Sequence, residues 1–256
     1  GLISSQGTLR TPLGRRTSMT LSLRGSYINM LYGSWLKADN TQIEYSFYDC
    51  NFTLCHHIDD RNTVTIDFYA GNDTGNLNES SYLSDNALKW GNVMGSLRWK
   101  HHGHGFNVNQ TIYSTYYHNK FMLTMQDNNY ALKSSNMDLG YKGNITAGRW
   151  DIGLDAVWHN IQPQYLDNNN TYNVTSGNPE RQHSSETSAF VRYSLHLRKH
   201  STIIFGARAT LYSTGGNHFG SADPSLAFMY DNSTVALSVS CYLRHQYLFQ
   251  TGFSSS

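Results

Sequence analysis

The sequence predicts an all-β fold, an antiparallel up-and-down transmembrane β-barrel with about twelve strands, and three observations carry that prediction. Apolar and polar residues alternate with a period of two, as they do in strands whose two faces meet unlike surroundings. The alternating runs last about 10 to 13 residues, longer than the five or six usual in globular sheets and long enough to cross a bilayer at a tilt. Short turns alternate with long polar connections along the chain, which matches barrels with short periplasmic turns at one rim and longer extracellular loops at the other.

Composition points the same way. The 256 residues include only 4 Pro and 14% charged residues, beside 18 Tyr, 11 Phe and 5 Trp, and aromatic and hydroxyl side chains suit pleated surfaces. A barrel absorbs this length as one domain. The formal net charge is +1, and without a basic stripe no nucleic acid is expected as a partner. Mean hydropathy is negative. No run of about 18 apolar residues exists, which excludes a membrane helix but not a barrel that shows lipid every second residue.

The elements follow in order. Ile3–Leu13 is a strand, residues 14–17 a turn, and Ser18–Met30 a strand with Met19, Leu21 and Leu23 opposite Thr20, Ser22 and Arg24. After a looser segment, Leu31–Thr41, comes Gln42–His56, where Tyr48, Cys50, Phe52 and Leu54 face away from Asp49, Asn51 and Thr53. His57–Asn62 is its turn. Thr63–Gly71 alternates most cleanly, Val64, Ile66, Phe68 and Ala70 against Thr65, Asp67 and Tyr69. Asn72–Lys89 reads as a long loop because it is rich in Asn, Ser and Asp.

Trp90–Lys100 sets Val93, Leu97 and Trp99 against Ser96, Arg98 and Lys100, and turns through residues 101–105 into Phe106–Tyr117. His118–Tyr130 is mixed, with a polar tip at Gln126–Asn129. Ala131–Ile145 and Trp150–Ile161 form the next hairpin, and Gln162–Ser185 reads as the longest loop. Glu186–Arg198 and Thr202–Thr214 turn at Lys199–Ser201, followed by a glycine-rich loop, Gly215–Asp223. The last hairpin is Ser225–Tyr230 and Val235–Leu248, hinged at residues 231–234. Tyr27, Trp35, Tyr45, Trp90, Trp99, Trp150, Trp158, Tyr230 and Tyr247 lie near run ends, where aromatic girdles form at membrane interfaces.

Cys50 and Cys55 lie on opposite faces, roughly 16 Å apart at about 3.3 Å per residue, and all three cysteines, with Cys241, are expected as free thiols. No basic region followed by an apolar stretch opens the chain at Gly1, so no signal peptide is expected, and neither end reads as a natural terminus.

Several stretches carry a resemblance. Gly1–Ser5 through Leu9–Leu13, Ser18–Tyr27, Tyr48–Asn51, Ile66–Asp73, Trp90–Asn92 with Leu97–Trp99, and Tyr242–Leu248 together resemble the barrel of TonB-dependent outer-membrane receptors, particularly those of Bacteroides-like bacteria (Bacteroidota). The likeness covers essentially the whole chain. It implies a barrel of about twenty-two strands around an N-terminal plug, located in the outer membrane of a Gram-negative cell. Such receptors import a small-molecule, glycan or peptide ligand with energy passed on by TonB. Against that pattern, residues 1–256 are not expected to include a plug, a TonB-contacting segment or an aromatic C-terminal strand end. Residues 1–256 are therefore expected to be a partial barrel domain whose plug and C-terminal barrel strands are absent, with lipid as a partner on one face.

Arg24, Asp49, Asp67, Arg98, Arg192 and Arg208 fall on the mixed face. In a barrel that face is the lumen, where charged groups meet the plug or line the ligand path, or pair with one another. His101-His102-Gly103-His104 is the most metal-like cluster, but no carboxylate or cysteine adjoins it, and a solvated turn is the expected reading. His56-His57 before Asp59-Asp60 reads the same way. His118, Asp155 and His159 are the residues an outer-membrane hydrolase would need near its rim, but no nucleophile elbow, paired carboxylates or zinc signature accompanies them. No catalysis and no cofactor are expected. Asn-X-Ser/Thr triplets, as at Asn51, Asn109 and Asn144, fall within strands and are not read as glycosylation sites. Two other folds compete: a porin or surface protease closed at about twelve strands, and a soluble β-sandwich whose apolar faces would meet about 10 Å apart.

Overall fold

The computed structural model describes residues 3–32, 37–38, 41–79, 84–125, 128–168, 180–232 and 234–247. Its strands are β1 (Ser4–Pro12), β2 (Thr17–Ser26), the two-residue β3 (Lys37–Ala38), β4 (Thr41–His57), β5 (Asn62–Glu79), β6 (Ser84–His102), β7 (Phe106–Met125), β8 (Asn128–Ala147), β9 (Trp150–Asn168), β10 (Gln182–Arg198), β11 (Ser201–Thr214), β12 (Asn217–Asp231) and β13 (Ala236–Tyr242). A short helix, α1 (Ile28–Tyr32), follows β2. The twelve long strands form one sheet in chain order, every neighbouring pair antiparallel, with β3 on the side of β4. Among the described residues β1 and β13 do not pair with each other, so the sheet is not closed.

Register turns the alternation into two faces. Directly opposed residues share a face, so Met19, Leu54, Ile66, Leu97 and Ile112 form one row and Thr20, Thr53, Asp67, Ser96 and Tyr113 the next. Burial is inverted relative to a water-soluble domain. The apolar row is open, with Leu97 at 47% and Ile112 at 54% exposure, while Asp49, Ser188, Thr210 and Asp223 on the polar face are buried. Tyr212 is the only large buried apolar residue among those described, and it too lies on the polar face. A sheet curled toward its polar side crowds those side chains and splays the apolar ones outward. The sandwich reading is overturned, because no second layer covers the apolar face among the described residues.

The apolar band also shows how the strands tilt. Leu21, in the middle of the β2 band, is in register with Trp158 at one end of the β9 band, while Tyr193, in the middle of the β10 band, is in register with Trp150 at its other end. The band drifts by about one residue per strand, which at 3.3 Å per residue and 4.8 Å per strand corresponds to a tilt of roughly 35°. That is the inclination of strands in barrels.

The strands run further than their sequence pattern. Asn72–Lys89 is not a loop: β5 continues to Glu79 and β6 starts at Ser84, with Thr74 opposite Lys89. Gln162–Ser185 likewise shortens, as β9 reaches Asn168 and β10 begins at Gln182; residues 169–179 lie outside the described ones. His118–Tyr130 is strand up to Met125 and again from Asn128; of the predicted tip Gln126–Asn129, residues 128–129 are strand and 126–127 lie outside the described residues. Gly215–Asp223 is a tight turn at Gly215 and Gly216, whose φ values of 54° and 82° no ordinary side chain favours, followed directly by β12. The cause is common to all four. Beyond the bilayer both faces are wet, so ladder hydrogen bonds persist while the apolar alternation that marks a strand disappears. Two strands are shorter than expected: β2 stops at Ser26 before α1, and β13 at Tyr242.

The short turns are well determined by local chemistry. Asp59 Oδ1 accepts hydrogen bonds from the backbone N–H groups of Arg61 at 2.8 Å and Asn62 at 2.7 Å. These contacts, the Arg61 N–H first, hold the Asp59 carboxyl below its ordinary range. Asn232 does the same for the last hairpin, accepting from Thr234 and Val235.

Of the predicted girdle residues, Trp99, Trp150 and Trp158 are on the apolar face, Trp150 half exposed against Tyr193 at 4.7 Å between ring centroids. Tyr45 and Trp90 are a correction: they stack on each other, 6.3 Å apart, on the polar face. Tyr247 lies there as well, stacked on Tyr212 at 5.4 Å. Trp35 is outside the described residues.

Glycine positions give a first prediction. The Tyr113 ring occupies the space where a Cβ on the opposed Gly140 would stand, whereas Gly95 has nothing within 4 Å. Gly140→Ala should destabilise the chain by about 1 kcal/mol through overpacking. Gly95→Ala should be neutral or slightly stabilising, since Gly weakens a strand. Urea unfolding of the two variants in detergent micelles checks this, and equal midpoints would count against the packing of Tyr113.

Candidate functional site

The polar face gathers the ionisable groups of the sheet. Arg24, Asp49, Asp67, Arg98, Arg192 and Arg208 all lie on it, and each is held by a specific partner. Arg24 reaches Asp49 directly opposite, Nε and Nη2 each 2.6 Å from Oδ2, while its guanidinium stands over the Phe47 ring. Asp49 is nearly buried, and Asn51 adds a 3.3 Å hydrogen bond to Oδ1. Asp67 accepts from Thr53 at 2.8 Å and Ser96 at 3.4 Å, with Arg98 looser at 3.9 Å.

The second half of the sheet carries a denser network. Arg192 pairs with Asp151 at 2.8 Å and covers the Phe190 ring, and Asp151 also accepts from Asn144 and Thr146. Arg208, on β11, crosses over β10 to donate to Asp155 at 2.9 Å and to the buried Ser188 at 2.8 Å. Asp223 meets His245 at 2.6 Å and Asp138 meets His159 at 2.7 Å. A recess of about 460 Å³ opens here, lined among others by Lys142, Asp155, Arg192, Arg208, Asp223 and Ser225. It offers both charge signs, the Ser225 hydroxyl and the Asn109 and Asn144 amides, the lining of a surface that binds polar matter rather than hydrocarbon.

Near the rim opposite the short turns, Tyr45 donates its hydroxyl proton to Asp73 Oδ1 at 2.6 Å. That hydrogen bond, with some burial and the carboxylate charge, pushes the phenol up to about 12.

The structure separates the other candidates. His118 is on the apolar face, stacked on Tyr116, while His159 and Asp155 are on the polar face, where each has a different partner. The three are not brought together. His101, His102 and His104 bond to Asn62, Asn107 and Arg61 respectively, so they diverge rather than converge. His56 and His57 each bond a threonine, Thr17 and Thr63. Cys50, Cys55 and Cys241 are free.

Sequence reading missed the partners. Asp138, Asp151, Asp155 and Asp223 alternate onto the polar face like the named arginines, but which arginine meets which aspartate depends on register. The Arg208–Asp155 contact, two strands apart, leaves no local signal at all.

No protein-family model and no curated protein sequence matches this chain. Solved structures do. The siderophore receptor PirA from Acinetobacter baumannii superposes with a TM-score of 0.61 at 13% identity, over 90% of this chain and 38% of that one. The translocator domain of the autotransporter NalP from Neisseria meningitidis matches with a TM-score of 0.39 at 11% identity, over 90% of this chain and 84% of that one. This chain thus spans well under half the length of the receptor it matches. The architecture is the wall of an outer-membrane β-barrel, and its outward apolar band belongs in that membrane.

Proposed function

We propose that this chain is part of the barrel wall of a TonB-dependent receptor in a Gram-negative outer membrane, of the Bacteroidota type its motifs resemble. The observation that carries the proposal is the open sheet. β1 and β13 each leave one edge unpaired among the described residues, and in hydrocarbon an unpaired backbone edge costs several kcal/mol per group. Twelve long strands that do not close need further strands beside them. The superposition on little more than a third of a siderophore receptor fits that need.

In the complete receptor the polar face lines the lumen and Arg24, Asp49, Asp67, Arg98, Arg192 and Arg208 face the plug. In these ion pairs the arginine side is 39–51% exposed and the aspartate side only 9–27%, so the guanidinium groups are open to plug residues while the carboxylates stay held by the wall. A small-molecule, glycan or peptide ligand enters between the extended hairpins and passes when TonB displaces the plug. The work done is transport, not bond chemistry, and needs no cofactor.

The coding DNA on either side tests the proposal. A frame that continues upstream through a plug segment and downstream through about ten further strands is the expected result. A frame bounded closely around these residues, whose product closes β1 on β13, would overturn it in favour of a small closed barrel.

A further inference from the structure

Beyond the apolar band, on the same outward face, three lysines stand side by side. Lys89 on β6 is directly opposite Lys120 on β7, and Lys120 is directly opposite Lys133 on β8. The row continues to Thr74 and Ser46 on one side and Tyr165 on the other. All six are hydrogen-bond donors, and none carries a carboxylate. Directly opposed side chains lie about 4.5 to 5.5 Å apart at Cβ, where like charges repel. Lys89 and Lys120 have no anionic partner among the described residues, so no described side chain offsets the repulsion between them.

Their height is defined by the band. Lys89, Lys120 and Lys133 are seven, eight and eight residues beyond Ser96, Ile112 and Tyr141, which mark the middle of the apolar runs on their strands. At 3.3 Å per residue and a tilt of roughly 35° this places them about 20 Å from the bilayer midplane. The hydrocarbon ends about 15 Å from the midplane and the headgroup layer about 20 to 22 Å from it. The lysines therefore stand at the headgroup layer. They are on the rim away from the short turns, the rim that faces outward in outer-membrane barrels. Below them His118 stacks on Tyr116, an aromatic step between band and lysines.

We propose that Lys89 and Lys120 form a binding site for the phosphate headgroup of an anionic lipid in the outer leaflet, with Lys133 adding positive charge beside them. This rests on the outward facing of the apolar band and on the rim assignment above. Two ammonium groups bracketing one phosphate oxygen cluster convert the mutual repulsion into charge-assisted hydrogen bonds, and Thr74 and Tyr165 supply neutral donors at the flanks. The site would fix lipid at one sector of the wall, over β6 to β8, and not around the whole circumference.

The test uses the full chain purified in a neutral detergent, with thermal unfolding as the readout. Dioleoyl phosphatidic acid should raise the midpoint by several degrees more than dioleoyl phosphatidylcholine does. The excess should vanish in Lys89→Gln/Lys120→Gln, survive in Lys89→Arg/Lys120→Arg, and fall part way in each single Gln variant, which serves if the double variant does not fold. Lys100→Gln, equal in charge loss to each single variant but on the polar face, should keep it. Inorganic phosphate at the same concentration should give no excess; an equal response to it would assign the lysines to free phosphate and overturn the lipid site. Equal stabilisation by both lipids overturns the headgroup site while leaving the outward band intact. No stabilisation by either lipid overturns the facing as well.

Discussion

Ile66→Arg prevents stable insertion of the chain into an outer membrane, and Thr65→Arg does not. The two positions are adjacent on β5 yet on opposite faces. Ile66 shares its row with Leu54, Leu97 and Ile112, stands 41% exposed, and is close to the middle of the apolar band. Thr65 shares its row with Cys55, Arg98 and Thr111 on the polar side. An arginine at the lipid midplane costs about 2 to 4 kcal/mol, a large share of the 5 to 15 kcal/mol that typically stabilises a fold. At position 65 the new guanidinium meets water and Asp67, with some repulsion from Arg98 that the wet face screens. The measurement is the fraction of each variant resistant to urea extraction from outer membranes. Equal resistance of the two would show that the apolar face does not meet lipid.

The same period of two that predicts this contrast made most of the fold legible in the sequence. Val64, Ile66, Phe68 and Ala70 against Thr65, Asp67 and Tyr69 locate both a strand and its facing, because a bilayer demands apolar groups on one side only. Where the strands leave the bilayer that demand lapses. Asn72 to Glu79 and Ser84 to Lys89 are mostly polar on both faces, with Leu77, Ala87 and Leu88 setting up no clear alternation, carry turn-forming residues, and still pair residue by residue. No pattern in the side chains could mark them, since what holds them is the backbone ladder propagated from the membrane. Tyr45 and Trp90 misled for a related reason: an aromatic near a run end reads as a girdle residue whichever face it takes, and these two face the polar side.

The polar face was legible as a set and not as pairs. Alternation alone collects Arg24, Asp49, Asp67, Arg98, Arg192 and Arg208 on one side. Pairing needs register, and register is set by turn lengths and one-residue irregularities such as the shift between Lys133 and Ser135. The lysine row illustrates the same limit. Lys89, Lys120 and Lys133 are far apart in sequence, and only the counted register across two hairpins makes them neighbours.

Arg24→Met should destabilise the chain by about 2 kcal/mol, and Asp49→Asn in the same molecule should recover most of that loss. Asp49 is nearly buried, and Arg24 supplies two of its contacts at 2.6 Å, leaving, among the described residues, the longer one from Asn51 when the guanidinium is gone. An underpartnered carboxylate pays its desolvation in full. The figure sits below that of a fully buried pair because the Arg24 side chain is 48% exposed and water screens part of the attraction. Asn at position 49 needs no counter-charge and still accepts from Asn51, so the double variant should unfold close to Asp49→Asn alone. The double-mutant cycle by urea denaturation in detergent reads the coupling directly. Additive losses would mean that the pair is held apart in solution. If the proposed receptor is right, coupling that shrinks when a plug is supplied would place Arg24 and Asp49 at the plug contact, because a partner that takes one member of the pair must weaken its hold on the other.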